Sequence, residues 1–163
     1  MGIDPGMHET GWALVEAADR PRLFDCGLIR TTPRQPLAQR LTWIHRNLSR
    51  VLSGLRPTQV ALEEMFFIQA APTVRNTLQA RGVIVLAAAQ SGCPLFEYSP
   101  TQVKMSLTGN GRAKKSQMEG VVFKLLGRRL SPADVADAAA IALCHLKSRR
   151  LHQLRVIGRI GHD

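Results

Sequence analysis

Residues 2–14 read "GIDPGMHETGWAL", and this stretch decides the fold. Gly2-Ile3-Asp4 has the content of a short strand, and Pro5 and Gly6 then turn the chain. Strand content resumes in "GWALVEA" (11–17) and again in "PRLFDCGLI" (21–29), with the turn residues Asp19 and Pro21 marking the break between them. Three early strands with tight links predict an antiparallel meander. What needs explaining is the lone acid, Asp4, at the end of the first of them.

Beyond the meander the period changes. Leu37, Leu41, Ile44, Leu48, Val51, Leu52 and Leu55 recur at steps of three and four, the mark of an amphipathic helix. Its other face is expected to carry Arg40, Arg46 and Arg50. "TQVALEE" (58–64) reads as a buried strand ending in acids. Residues 74–90 read as a helix, apolar on all sides in its second half and so expected to be buried. "CPLFEYS" (93–99) is a further strand, and a short helix follows Pro100. Met118, Val121, Val122, Leu125 and Leu126 mark the next helix, and the last begins at "SPADVADAAAIALCHL" (131–146). Strands first, then alternation, then helices predict an α/β protein: a mixed sheet with helices on both faces. Active sites in such sheets lie at strand ends.

The totals bound the function. A chain of 163 residues is the size of one domain, and 45% hydrophobic residues suffice for a core. No apolar run reaches the length of a membrane span, and no basic-then-apolar leader opens the chain. Cys26, Cys93 and Cys144 are odd in number and far apart, which argues against a disulfide framework or a zinc site. They read as reduced, buried cysteines of a cytoplasmic protein. Lys and Arg number 22 against 12 Asp and Glu, for a net charge of +10. A domain this basic attracts a polyanion, nucleic acid being the commonest; a merely positive surface is the plainer alternative.

With so few acids, their placement is informative. Asp4 ends the first strand, and Glu63 ends the "VALE" strand with Glu64 beside it. Neighbours in a strand point to opposite faces, so Glu63 and Glu64 cannot both serve one site. Asp134 and Asp137 lie three apart at a helix start and share a face. Each has a plain explanation: Asp4 shapes a turn, Glu63 meets a surface arginine, and Asp134 belongs to a capping box opened by Ser131 and Pro132. Asp137 is harder to explain this way, since it lies beyond the cap among Ala136, Ala138 and Ala139, where an unpaired carboxylate is costly. One explanation covers all four: the carboxylates converge to hold hard divalent cations such as Mg²⁺ or Mn²⁺. In a basic domain such a centre suits phosphodiester cleavage by two metal ions.

The motifs "GIDPGMHETGWAL", "ALEEMFF", "ARGVIVLAAAQSGCPLFEYSPTQVK", "AKKSQ" and "DVADAAAIALCH", in this order and at these separations, resemble the RuvC Holliday junction resolvases. These are nucleases of the RNase H-like superfamily, and the resemblance runs from Gly2 to about Arg150. It implies an RNase H-like fold with a mixed five-stranded sheet and a nuclease domain over 1–150; outside the resemblance, 151–163 reads as a basic, flexible tail, with a short strand at "RVIG" the alternative. It implies a homodimer that nicks two symmetry-related strands of a four-way DNA junction in recombination and repair, using Mg²⁺ or Mn²⁺, two ions per site. Carried over by motif, Asp4, Glu63, Asp134 and Asp137 are metal ligands and catalytic residues, and Lys115 assists catalysis. Phe66, with Phe67 as a competing candidate, wedges into the junction, and Lys104 contacts DNA. A junction-binding tetramer and a branch-migration helicase are implied partners, with no membrane involved.

Independently of the resemblance, Lys104, Arg112, Lys114, Lys115, Lys124, Arg128 and Arg129 face one acid, Glu119, over 104–129. "GNGRAKK" (109–115) leads into a helix start, where Arg112, Lys114 and Lys115 together with backbone N–H groups would suit phosphate. Two departures from the family pattern stand out. The first strand has only three residues before Asp4, and the tail "LHQLRVIGRIGHD" has no family counterpart. Two rivals remain: an actin-like ATPase, which needs a second domain that 163 residues do not provide, and a non-catalytic junction-binding module.

Overall fold

A computed structural model describes residues 1–64 and 72–160, with backbone alone at 72, 73 and 150–160. The described residues form β1 (Gly2–Asp4), β2 (Glu9–Glu16), β3 (Arg22–Arg30), α1 (Leu37–Leu55), β4 (Val60–Glu63), α2 (Pro72–Gln90), β5 (Leu95–Tyr98), α3 (Pro100–Thr108), α4 (Lys115–Leu126) and α5 (Ala133–Ile160). The strands make one sheet in the order β3-β2-β1-β4-β5. β1 to β3 are the expected antiparallel meander, while β4 runs parallel to both β1 and β5.

Strand alternation divides the core between two faces. Ile3, Trp12, Val60 and Leu62 pack with Ile44, Leu48 and Leu52 of α1 and Ile84 of α2. On the other face Ala13, Val15 and Ala61 meet Ala138–Cys144 of α5, with Val103 and Met118 beside them. The second face is built from small residues, which brings helix backbone onto sheet backbone. A Cβ at Gly2 would stand 2.1 Å from the Ala138 carbonyl oxygen, and one at Gly11 2.1 Å from that of Asp134. Both glycines are therefore needed for the approach of α5, and Gly11 is also the cross-strand partner of Asp4.

Several expectations change. Arg40 does not share the solvent face of α1 with Arg46 and Arg50; it is buried at 6% exposure. It lies one turn before Ile44, on the inward stripe, where loop carbonyls receive it. Its Nη2 donates to the Met7 carbonyl (3.0 Å) and its Nε to Thr31 Oγ1 (2.9 Å). α2 is not buried all round: Ala80, Ile84, Ala87 and Ala88 face the core, whereas Leu78 and Leu86 are exposed. The three cysteines are free, as expected, but only Cys144 is buried. Ser131 does not open the last helix. The Ser131–Pro132 peptide is cis, and α5 starts at Ala133 with the Pro132 carbonyl accepting from Val135 N (3.1 Å). α5 continues to Ile160, so "RVIG" is helical backbone and not a short strand.

Candidate active site

The four acids arrive from three elements. Asp4 shares the face of Gly2, and Glu63 the face of Ala61, because residues two apart in a strand point the same way. Gly2 and Ala61 are paired in the parallel ladder and both pack toward α5, so the two carboxylates end adjacent strands on the side of α5. Glu64 falls on the opposite parity, with its N–H donating to the Tyr98 carbonyl (2.7 Å). Asp134 and Asp137 enter from the first two turns of α5, which Gly2 and Gly11 admit to the sheet.

Asp4, Glu63 and Asp137 line one cavity of about 320 Å³ together with Lys104 and Lys115. Its apolar wall comes from Val103, Met118 and Ile141. Lys115 opens α4 and its Nζ donates to Asp137 Oδ2 at 2.7 Å. Lys104 enters from α3. Arg112 and Lys114 are exposed, outside the cavity lining. Asp134 acts on Asp4 electrostatically without lining the cavity and lies next to Glu9, whose Oε1 accepts from Arg30 Nε (2.9 Å). Phe66 and Phe67 lie outside the described residues.

The acids act on one another. Burial pushes the Asp4 carboxyl up to about 7, with Asp137, Glu63 and Asp134 pushing the same way and Lys115 opposing them. Glu63 is raised by burial and by Asp137, against Lys104 and Lys115. Asp134 is raised by burial first, then by Glu9 and Asp137. The hydrogen bond to Asp137 and the surrounding carboxylates raise Lys115. The pocket is therefore short of positive charge despite its two lysines.

Among the described residues no three His, Cys, Asp or Glu side chains stand close enough together to hold a metal ion. Asp137 is held by Lys115 Nζ at 2.7 Å. The donor chemistry nevertheless fits a hard divalent cation: all oxygen, anionic, and converging on one cavity from rigid elements.

Sequence reading missed three contributors. Glu9 touches Asp134, Arg40 holds the loop after Asp4, and Arg81 Nη1 donates to the Glu63 carbonyl (2.8 Å). Glu9 and Arg81 fall within the motifs "GIDPGMHETGWAL" and "ARGVIVLAAAQSGCPLFEYSPTQVK", but nothing there singles either out, and Arg40 reads only as part of a solvent face.

A mixed sheet in this order, with acids ending its two central strands and lysines beside them, defines a metal-dependent nuclease of the RNase H-like fold. More narrowly, the family model for crossover junction endodeoxyribonuclease RuvC matches residues 1–145, and the chain belongs to that family. It is 48% identical over 148 residues to the crossover junction endodeoxyribonuclease RuvC of Pelotomaculum thermopropionicum, covering 89% of this chain and 90% of the relative. A structure of Thermus thermophilus RuvC in complex with a Holliday junction substrate superposes with a TM-score of 0.86 at 35% identity, over 93% of this chain and 94% of that one. A yeast mitochondrial Holliday junction resolvase is similar in fold alone, with a TM-score of 0.65 at 15% identity over 90% of this chain and 76% of that one. The activity is that of an endodeoxyribonuclease. Among the described residues no helix is long and apolar enough to cross a membrane.

Proposed function

We propose that two copies of this chain resolve four-way (Holliday) DNA junctions in recombination and repair by hydrolysing one phosphodiester in each of two symmetry-related strands. The observation that carries this reading is the convergence of Asp4, Glu63 and Asp137 on one cavity that Lys104 and Lys115 also line. Two Mg²⁺ or Mn²⁺ ions, when bound, supply Lewis-acid activation of water and charge neutralisation at the phosphate. Asp4 would hold cations from the central strand, Glu63 and Asp137 would complete the oxygen donor set, and Asp134 would ligate a cation or orient the attacking water. Lys115 turns from Asp137 toward the phosphate and offsets charge that develops there.

Binding draws on the wider surface. Lys104, Arg112 and Lys114 contact backbone phosphates, and Phe66 or Phe67 stacks in the opened junction. The exposed Leu78 and Leu86 of α2, on a helix whose other side is in the core, support α2 as a dimer element. Residues 1–150 make the nuclease domain and the basic 151–163 segment lies outside it. A cytoplasmic location, a junction-binding tetramer and a branch-migration helicase complete the proposal.

The test is a synthetic four-way junction compared with duplex and single strand. Mg²⁺ should permit paired nicks in the junction; EDTA should abolish them while leaving much of the salt-dependent binding. Asp4→Asn should bind the junction and fail to cut. Full cutting by that variant overturns the metal role, and binding without cutting by the wild-type protein in Mg²⁺ returns the non-catalytic reading.

A further inference from the structure

The parallel ladder between β1 and β4 contains a gap that its own sequence creates. Ala61 N donates to the Met1 carbonyl (2.8 Å), with Gly2 and Ala61 in register. In a parallel pair the next bonds follow by rule: Ile3 N to the Ala61 carbonyl, Glu63 N to the Ile3 carbonyl, and residue 5 N to the Glu63 carbonyl. Residue 5 is proline, which has no N–H to give. The carbonyl of Glu63, at the end of an interior strand, therefore loses its ladder donor.

Arg81 replaces that donor. Its side chain is only 13% exposed, its Nη1 donates to the Glu63 carbonyl at 2.8 Å, and its Nη2 pairs with the Glu97 carboxylate on β5. The guanidinium thus spans from the strand that carries Glu63 to its neighbour, with a planar fork that a lysine cannot reproduce. We propose that Arg81 is a positioning residue of the nuclease site: it pins the end of β4 at the point where Pro5 leaves the ladder open, and so fixes Glu63 toward the cations.

The proposal rests on Glu63 being a metal ligand, so Glu63→Gln is measured alongside. Single-turnover cleavage of a synthetic four-way junction is followed across Mg²⁺ concentration for the wild type, Arg81→Met and Arg81→Lys, with junction binding in EDTA and circular dichroism as controls. Arg81→Met should raise the Mg²⁺ concentration for half-maximal rate by about tenfold or more, in line with the 10–100-fold typical for residues that orient ligands. Binding in EDTA should be unchanged, and Arg81→Lys should recover part of the shift. A folded Arg81→Met with the wild-type Mg²⁺ midpoint overturns the proposal, even if it melts earlier. If Arg81→Met does not fold, Arg81→Lys decides: a raised midpoint sustains the proposal and a wild-type midpoint overturns it. Full cleavage by Glu63→Gln would instead overturn the assignment of Glu63, a separate failure.

Discussion

The Lys115 ammonium donates to Asp137 Oδ2 at 2.7 Å, joining the first residue of α4 to the second turn of α5. More than half of the lysine side chain is exposed, so the pair is free to open toward an incoming phosphate. Lys115→Ala should slow single-turnover junction cleavage by about 10²-fold, the usual loss for one donor at a developing charge. The salt dependence of binding should fall by about one unit of slope. Unchanged cleavage would leave Lys115 as a partner of Asp137 alone.

Asp4 makes the metal-free protein sensitive to pH. Unfolded, it titrates near its ordinary value of 3.8; folded, it holds its proton up to about 7. Between these values the folded state binds the extra proton, so stability falls as pH rises through the window. Ionised Asp4 then costs folding on the order of 4 kcal/mol at most. Asp4→Asn should therefore melt above the wild type in EDTA at about pH 8, and the difference should vanish near pH 4. Equal melting at pH 8 would show that the burial is relieved by rearrangement.

The same proton competes with cations. Occupancy requires ionised carboxylates, so the Mg²⁺ needed for half-maximal cleavage should rise as pH drops below about 7. Titrations at pH 6, 7 and 8 check this. A midpoint constant across the series would mean that Asp4 is already ionised in the metal-free site.

Gly11→Ala should be among the more damaging single-methyl changes in the protein. The added Cβ would stand 2.1 Å from the Asp134 carbonyl oxygen, so α5 must move away from β2. Overpacking of this kind costs about 1–3 kcal/mol, measurable by chemical denaturation. Cleavage should fall further than stability predicts, because Asp134 and Asp137 ride on the displaced helix.

Arg40→Met tests the loop after Asp4. It removes the donors to the Met7 carbonyl and Thr31 Oγ1 while keeping most of the buried volume. A loss of about 1–3 kcal/mol is expected from the two lost charge-assisted hydrogen bonds, although Thr31 Oγ1 still donates to the Met7 carbonyl. A cost near zero would mean that water replaces the guanidinium.

What the sequence by itself determined is whatever depends on near neighbours in the chain. The strand content of "GWALVEA" between turn residues and the three-and-four spacing from Leu37 to Leu55 set strand and helix, because local composition and period follow the backbone conformation. The four acids were legible for a related reason: in a chain with 12 acids and 22 basic residues, a carboxylate ending an apolar element stands out. Tertiary structure alone decided which groups answer one another across elements. Arg40 lies at the edge of the apolar stripe of α1, one turn before Ile44, but the Met7 carbonyl and Thr31 hydroxyl that receive its guanidinium are brought there only by folding. The uncovered side of α2, the meeting of Glu9 with Asp134 and the hold of Lys115 on Asp137 all depend on what packs against each face. Pro5 states in the sequence that a carbonyl opposite will lack its donor. That the donor comes from Arg81, 18 residues beyond Glu63 and on the following helix, is settled only when folding brings α2 to the end of β4. A hydrogen bond needs two atoms within about 3 Å, and separation along the chain does not encode that distance.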